Sequence, residues 1–397
     1  MAGNREIRNA KETSPAHLRE IAASFLRLGT TAFGGPAAHI AMMEEEFVRR
    51  RHWVSHAEFL DMLGATNLIP GPNSTEMAIH IGHQRGGWKG LVVGGACFIL
   101  PAVAIVMAAA WAYVRFGSMP QVQSIMYGIK PVMIAIVIQA LWRLGPVALK
   151  TRLLTAIALA AAVAALTGIN VLLVLFGAGV PTALIALMED RGSGVRESAA
   201  LLFARLRLLP ASNVAAAAAA GAVPFSMTGL FLFFLKVGAV LYGSGYVLLA
   251  FLDADLVTRL HWLTRSQLLD AVAIGQVTPG PVFTTATFIG YLLAGARGGL
   301  VATIGIFIPS FIFVAASRPI LPRIRRSKVA GAFLDGINAG ALALMAAVTL
   351  QLGRAAIVDP ATATLGVAAT AILLFSRLNS AWLILAGGIV GLVVTAL

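Results

Sequence analysis

The chain has little charge and almost no cysteine. Charged residues fill 12% of its 397 positions, against about 25% in soluble globular chains. With 58% hydrophobic residues, a soluble body would lack the polar surface to cover itself. Cys97 stands alone, which excludes an intramolecular disulfide framework and a cysteine-based zinc site. No H-E-x-x-H, no G-x-S-x-G and no Walker loop occurs, so metalloprotease, serine-hydrolase and ATP-driven readings have nothing to rest on. Residues 1–20 are polar, with no apolar core before Ile21, and do not read as a signal peptide.

What is present is apolar length. Apolar stretches recur at 91–113, 131–144, 153–188, 330–352 and 381–397, several of them reaching the roughly 18 residues needed to cross a hydrocarbon core. Many are rich in Ala, Gly and Val, residues that let helices approach closely in lipid. The formal net charge of +13 sits mainly in short connections between these stretches, the positive-inside pattern. No basic stripe with interleaved aromatics is seen, so the lipid bilayer is the expected partner and nucleic acid is not. The fold class read from this is an all-α polytopic membrane protein.

The chain also repeats itself. Shifted by about 209 positions, Phe25-Leu26-Arg27-Leu28-Gly29 faces Phe234-Leu235-Lys236-Val237-Gly238. Phe33-Gly34 faces Tyr242-Gly243, Glu44 and Glu46 face Asp253 and Asp255, and His52-Trp53 faces His261-Trp262. Asp61 faces Asp270, and Pro70-Gly71-Pro72 faces Pro279-Gly280-Pro281. Ser55-x-x-Glu58 and Thr264-x-x-Gln267 are capping boxes, so both halves start a helix by the same device. The expected organisation is a cytoplasmic tail 1–16, a first transmembrane repeat 17–188, a basic then Ala-rich linker 189–225 and a second repeat 226–397. The connection 116–121 is neutral, 143–152 is basic, and 318–328, counterpart of the neutral one, is strongly basic. Two halves that both obey the positive-inside rule are then oppositely oriented, as inverted-topology repeats. That arrangement predicts an odd number of crossings per half.

Phe33-Gly34-Gly35-Pro36, the run to His52-Trp53, the repeated Pro-Gly-Pro, and Gly128-Ile129-Lys130-Pro131 answered by Gly336-Ile337-Asn338-Ala339 resemble the chromate ion transporter (CHR) family. The resemblance spans nearly the whole chain and matches the long, two-domain members. It implies a protein of the bacterial inner membrane that exports chromate from the cytoplasm and gives chromate resistance, with sulfate as a similar competitor. The second half departs from the first at Ser244-Gly245 for Gly35-Pro36 and at Val282-Phe283 for Asn73-Ser74.

A tetrahedral dianion needs positive charge and many donors inside a membrane. Pro-Gly-Pro stops a helix, and broken backbone at membrane depth survives only where protein buries it or a cavity is lined by it. The candidate donors are the new helix N-termini at Pro70, Gly71, Pro72, Asn73, Ser74 and Thr75, and at Pro279, Gly280, Pro281, Thr284 and Thr285. The alternative is a plain kink. The glycine interruptions Gly34, Gly35 and Gly243 join the candidate set. Arg27 and Lys236, matched cations within apolar segments, read as anion attractors or as snorkelling side chains. Lys130, with Asn338 at the matching position, reads the same way. Asp61, Glu76 and Asp270 are candidates for gating or coupling, with dipole stabilisation as the alternative for Asp61 and Asp270. Glu76, His80 and His83 read as local pairing, with a proton relay or a bound metal as the alternatives. Glu44–Glu46 beside Arg49–Arg51 read as a solvated interfacial face. No metal, cofactor or catalytic residue is expected, and a homodimer is one option for assembly. Rival readings are a secondary transporter or channel for another small anion, and an integral membrane enzyme.

Overall fold

The computed structural model describes residues 15–33, 35–191, 224–242, 245–376, 378 and 380–396. Residues 1–14, most of the linker, Gly34, Gly243 and the side chains of 318–326 lie outside the described residues. The first half comprises α1 (Pro15–Thr31), α2 (Gly35–Met43) continued by wide turns over Glu44–Arg50, α3 (His56–Thr66), α4 (Asn73–Phe116), α5 (Pro120–Ala148), α6 (Arg152–Leu166) and α7 (Val171–Arg191). The second repeats it with α8 (Met227–Val240), α9 (Leu248–Phe251) continued over Leu252–Arg259, α10 (Arg265–Val277), α11 (Thr285–Arg326), α12 (Lys328–Ala356), α13 (Pro360–Phe375) and α14 (Ser380–Ala396). Among the described residues, five helices are long and apolar enough to cross a membrane.

Both expected capping boxes are formed: Ser55 and Glu58, and Thr264 and Gln267, satisfy each other's amides at the starts of α3 and α10. His52 and His261, just before them, share a left-handed backbone with φ of 51° and 54°, so the chain turns the same corner twice.

Helix α4 is two antiparallel arms. Gly86 and Gly87 leave helical geometry, and the chain folds back there: a Cβ on Gly94 would lie 3.0 Å from the carbonyl oxygen of Ala78. In one straight helix, residues sixteen apart are separated by about 24 Å. Ala294 and Gly295 break α11 in the same way, and Gly290 packs on Gly298 as Gly82 packs on Gly90. Glycine is required at these crossings because two backbones touch. The first arm, 73–85, is only about 20 Å long, while the second, 88–116, is long enough to span.

Two further contacts show how the preceding segments run. Arg51 and Arg85 both lie against the Trp53 ring, at 5.4 and 5.3 Å, and both reach Glu20. The start of α3 and the end of the first arm of α4 therefore lie at one end of the bundle, with Pro70-Gly71-Pro72 at the inner tip between them. Phe25 packs on Phe47 with ring centroids 4.8 Å apart, and His39 Nε2 meets Ala32 O at 3.0 Å, so α1 and α2 also double back, around Phe33–Pro36. Each half thus inserts two helical hairpins from one end and follows them with four further helical segments.

The two halves enter from opposite ends. In α7 and α12 the contacts of Gly336 with Ala178 and of Gly340 with Val174 run antiparallel, as do those of Gly128 with Gly387 and Ser124 with Gly391 in α5 and α14. Inverted repeats follow. Two expected connections are corrected. The segment 143–152 is helical to Ala148, and 318–328 is helical to Arg326. Arg49–Arg51, Arg85, Lys89, Arg143, Lys150, Arg152 and Lys328 lie at one end, and the shorter set Arg115, Arg259, Arg265, Arg297 and Arg354 at the other.

The positive-inside rule puts the basic end in the cytoplasm. Cysteines introduced singly at positions 150 and 327 of a Cys97→Ala background are expected to react with an impermeant thiol reagent only from the cytoplasmic side, and those at 118, 168 and 358 only from the other. Labelling of 150 and 327 from opposite sides would break the inverted arrangement.

Candidate anion site

The two Pro-Gly-Pro tips are held by the opposite half. Gly71 N–H donates to Leu241 O at 2.8 Å, and Gly280 N–H donates to Ala32 O at 2.9 Å. Leu241 and Ala32 are matching residues at the ends of α8 and α1, so one contact is built twice. The middle residue must be glycine: φ is +136° at Gly71 and +94° at Gly280. A Cβ would also strike Ser310 Oγ at 2.8 Å in the first case, and Ala102 Cβ at 2.7 Å in the second.

Beyond the glycine each tip starts a helix. Thr75 N–H and Glu76 N–H are taken up by Pro72 O at 2.8 and 3.1 Å, and Thr284 N–H by Pro281 O at 3.0 Å. The amides of Asn73, Ser74, Val282 and Phe283 are first-turn donors with no partner inside their helices. All four residues line one cavity of about 620 Å³. Pro36 and Ala37 from the first hairpin and Gly245 and Val247 from its counterpart line it too, with Gln139 and Arg143 of α5 and Asn338 of α12. Ser74, Val282 and Phe283 are buried at its floor, while Arg143 is exposed at its mouth. At that mouth Lys150 pairs with Asp335 at 2.8 Å. Arg143 has no carboxylate partner among the described residues. The cavity therefore opens to the basic end and offers one uncompensated cation and two helix N-termini, a setting that favours an anion.

The opposite end is closed. Lys130 bonds Ser266 at 2.7 Å and Asp270 at 3.2 Å, and Tyr113 donates to the same buried Asp270 at 2.7 Å. These contacts join α4 and α5 of the first half to α10 of the second.

Several candidates lie elsewhere. Arg27 pairs with Glu46 at 2.5 Å, and Lys236 pairs with Asp255; neither lines the cavity. Arg50 and Arg51 also reach Glu46, at 3.4 and 2.6 Å, as Arg259 reaches Asp255 at 2.9 Å. Glu46 is thus a buried hub, which corrects its reading as solvated, while Glu45, Arg49 and Arg50 of the same face stay exposed. Burial works against its charge. The hydrogen bond from Arg51 and the charges of Arg27 and Arg51 outweigh burial and hold the carboxyl below its usual range. Thr284 and Thr285 donate to Pro281 O and Val282 O, both at 2.8 Å, and stay off the cavity. Thr75 is buried away from it. Pro70 and Pro279 are buried behind the tips. Gly35 takes φ of +79° beside Pro36, and Asp61 is exposed on α3. Sequence reasoning missed Gln139, Arg143 and Lys150. The only signal for them was the basic run from 143, read as a connection rather than as the end of a helix.

A profile of the chromate transporter family matches twice, over residues 19–183 and 228–392, once for each half. A chromate transport protein of Cupriavidus metallidurans is 34% identical over 385 residues, covering 96% of this chain and 94% of the relative. One of Pseudomonas aeruginosa is 31% identical over 386 residues, covering 95% and 92%. A probable chromate transport protein of Synechococcus elongatus is 32% identical over 362 residues, covering 89% and 90%. No solved structure matches.

Gly280→Ala is expected to destabilise the purified protein by more than the roughly 1–3 kcal/mol of a strained backbone residue, because crowding adds to φ. Gly87→Ala, with φ of +55° and nothing within 4 Å, should cost the backbone part alone. Thermal unfolding in detergent ranks the two, and equal losses would deny the tight approach at Gly280. For Glu46, whose folded value is lowered, the stabilisation is fully present above the unfolded carboxylate value of about 4.3. It is lost as pH falls through the folded value. The melting gap between wild type and Glu46→Gln should therefore close on acidification, and a gap independent of pH would mean that the charge of Glu46 does not hold the hairpin.

Proposed function

The chain belongs to the chromate transporter family, and from that membership we propose that it exports chromate from the cytoplasm, with sulfate as a competing substrate. It is a multi-pass protein of the bacterial inner membrane, and its relatives are named transport proteins. The observation that carries the proposal is the convergence of two helix N-termini, one from each half, on one cavity. Amides of Asn73, Ser74, Val282 and Phe283 replace water around the oxyanion, and Arg143 draws it in from the mouth. The cavity opens to the basic end, which the positive-inside rule makes cytoplasmic, so the site is loaded from the side that export requires. Rocking of the halves about the paired tips would open the Lys130–Asp270–Tyr113 closure and expose the same site outside. Cells carrying the protein would then tolerate chromate.

The test is uptake of radiolabelled chromate into inverted membrane vesicles, with and without excess sulfate. Accumulation that sulfate reduces supports the proposal, and no accumulation above vesicles lacking the protein sinks it. Arg143→Gln removes a charged donor worth about 1.5–3 kcal/mol, so half-saturation should rise tenfold or more while membrane abundance stays unchanged. Unaltered kinetics would take Arg143 out of the site.

A further inference from the structure

Glu76 has no role in the site as described. It opens the first arm of α4 just past the Pro-Gly-Pro tip, is fully buried, and neither carboxyl oxygen finds a hydrogen-bond partner. Ser310 Oγ of α11, equally buried, lies beside it. Both flank Gly71, where an added Cβ would meet the two together. Tyr242, next to the Leu241 carbonyl that holds Gly71, faces the carboxyl from the second half. His80 stands one turn along the same arm. α1 and α3 bring the apolar side chains Ile21, Phe25 and Phe59 to the core around this arm. Among the described residues no lysine or arginine pairs with Glu76: Arg27, Lys130 and Lys236 are each held by another carboxylate.

An ionised carboxylate left unpaired in so dry a place costs more than the surrounding packing returns, so burial tolerates the neutral acid. The repeat supplies a comparison. At the matching junction, where Gly280 meets Ala32, Glu76 is replaced by Thr285, which is satisfied by Val282 O, and Ala102 lies opposite Gly280. A neutral side chain builds the same junction, so the carboxyl of Glu76 is not there to hold it together.

We infer that Glu76 is a proton-binding site coupled to the Gly71–Leu241 junction, neutral while the junction is closed and giving its proton to water when the halves rock and the junction opens. The proton passes between the carboxyl oxygen and water, with no other reactant. The inference rests on the transport reading and adds proton coupling to it.

Infrared spectroscopy of the full chain in lipid at neutral pH reads the carboxyl directly. The carbonyl-stretch band of a buried carboxylic acid is expected in wild type and in Glu45→Gln, whose carboxyl is exposed, and should be lost in Glu76→Gln. Absence of the band from wild type, or its persistence undiminished in Glu76→Gln, overturns the assignment. In proteoliposomes with a pH dye inside, wild type should move protons with sulfate or chromate, whereas Glu76→Gln should bind the anion with wild-type affinity and move no protons. Sulfate is included because chromate itself takes up a proton near neutral pH. Wild-type proton movement in Glu76→Gln overturns the coupling. If wild type carries neither anion, the transport reading fails, and the infrared band still decides whether Glu76 holds a proton.

Discussion

Backbone broken inside a membrane must find its hydrogen bonds within the protein, and here each break finds them in the other half. Gly71 donates to Leu241 and Gly280 to Ala32, so neither hairpin tip is complete without the opposite repeat. The two bonds tie the halves together at the centre of the bundle while leaving the helices around them free to tilt. They also determine what remains unsatisfied. Once the glycine amides are spent on the junction, the next two amides of each helix, on residues that line the cavity between the halves, have no partner within their helix. Water or an anion must complete them, and the cavity is the room left for it.

The same economy explains the charges within the hairpins. Arg27 and Lys236 sit in apolar helices, where a cation without a partner is costly. Each meets a buried carboxylate on the returning arm, Glu46 or Asp255, and a second arginine closes the cluster from one turn further on. These clusters staple the two arms of the outer hairpin and so place the tip that carries Ala32 or Leu241. Matched cations at matched depth are the mark of a structural clamp that was copied with the repeat.

Much of this was legible in the residues. The repeat, both capping boxes, the glycine-interrupted segments and the two Pro-Gly-Pro breaks stand in the sequence at one offset, and together they carry the fold class and the idea of paired helix N-termini. The folding back of α4 and α11 was not legible in the same way, because hydropathy runs on through both arms. Its trace is the polar run from His83 to Lys89 around Gly86-Gly87, which looks like a surface loop only once the arms are known to be antiparallel. The pairing of Arg27 with Glu46 was hidden for another reason. Nineteen positions separate them, and only the doubling back of α1 on α2 brings them together. Arg143 escaped notice because a basic residue near a helix end has an ordinary explanation in topology, and nothing local says that a cavity lies beside it.

Where the repeats differ, the difference is informative, because the second half shows what the scaffold needs at that point. Glu76 is answered by Thr285, Lys130 by Asn338 and Arg143 by Gln351. In each case one half keeps a charge where the other makes do with a neutral polar side chain in an equivalent helix. A symmetric scaffold can rock between two mirror states of equal energy, and by itself it would favour neither direction. Charges placed in only one half remove that degeneracy. Lys130 with Asp270 closes one end, while Asn338 at the matching position leaves the other open to the cavity. The inverted repeat therefore provides the two states, and the residues that break its symmetry decide which state is preferred and what must bind or leave to reverse the preference.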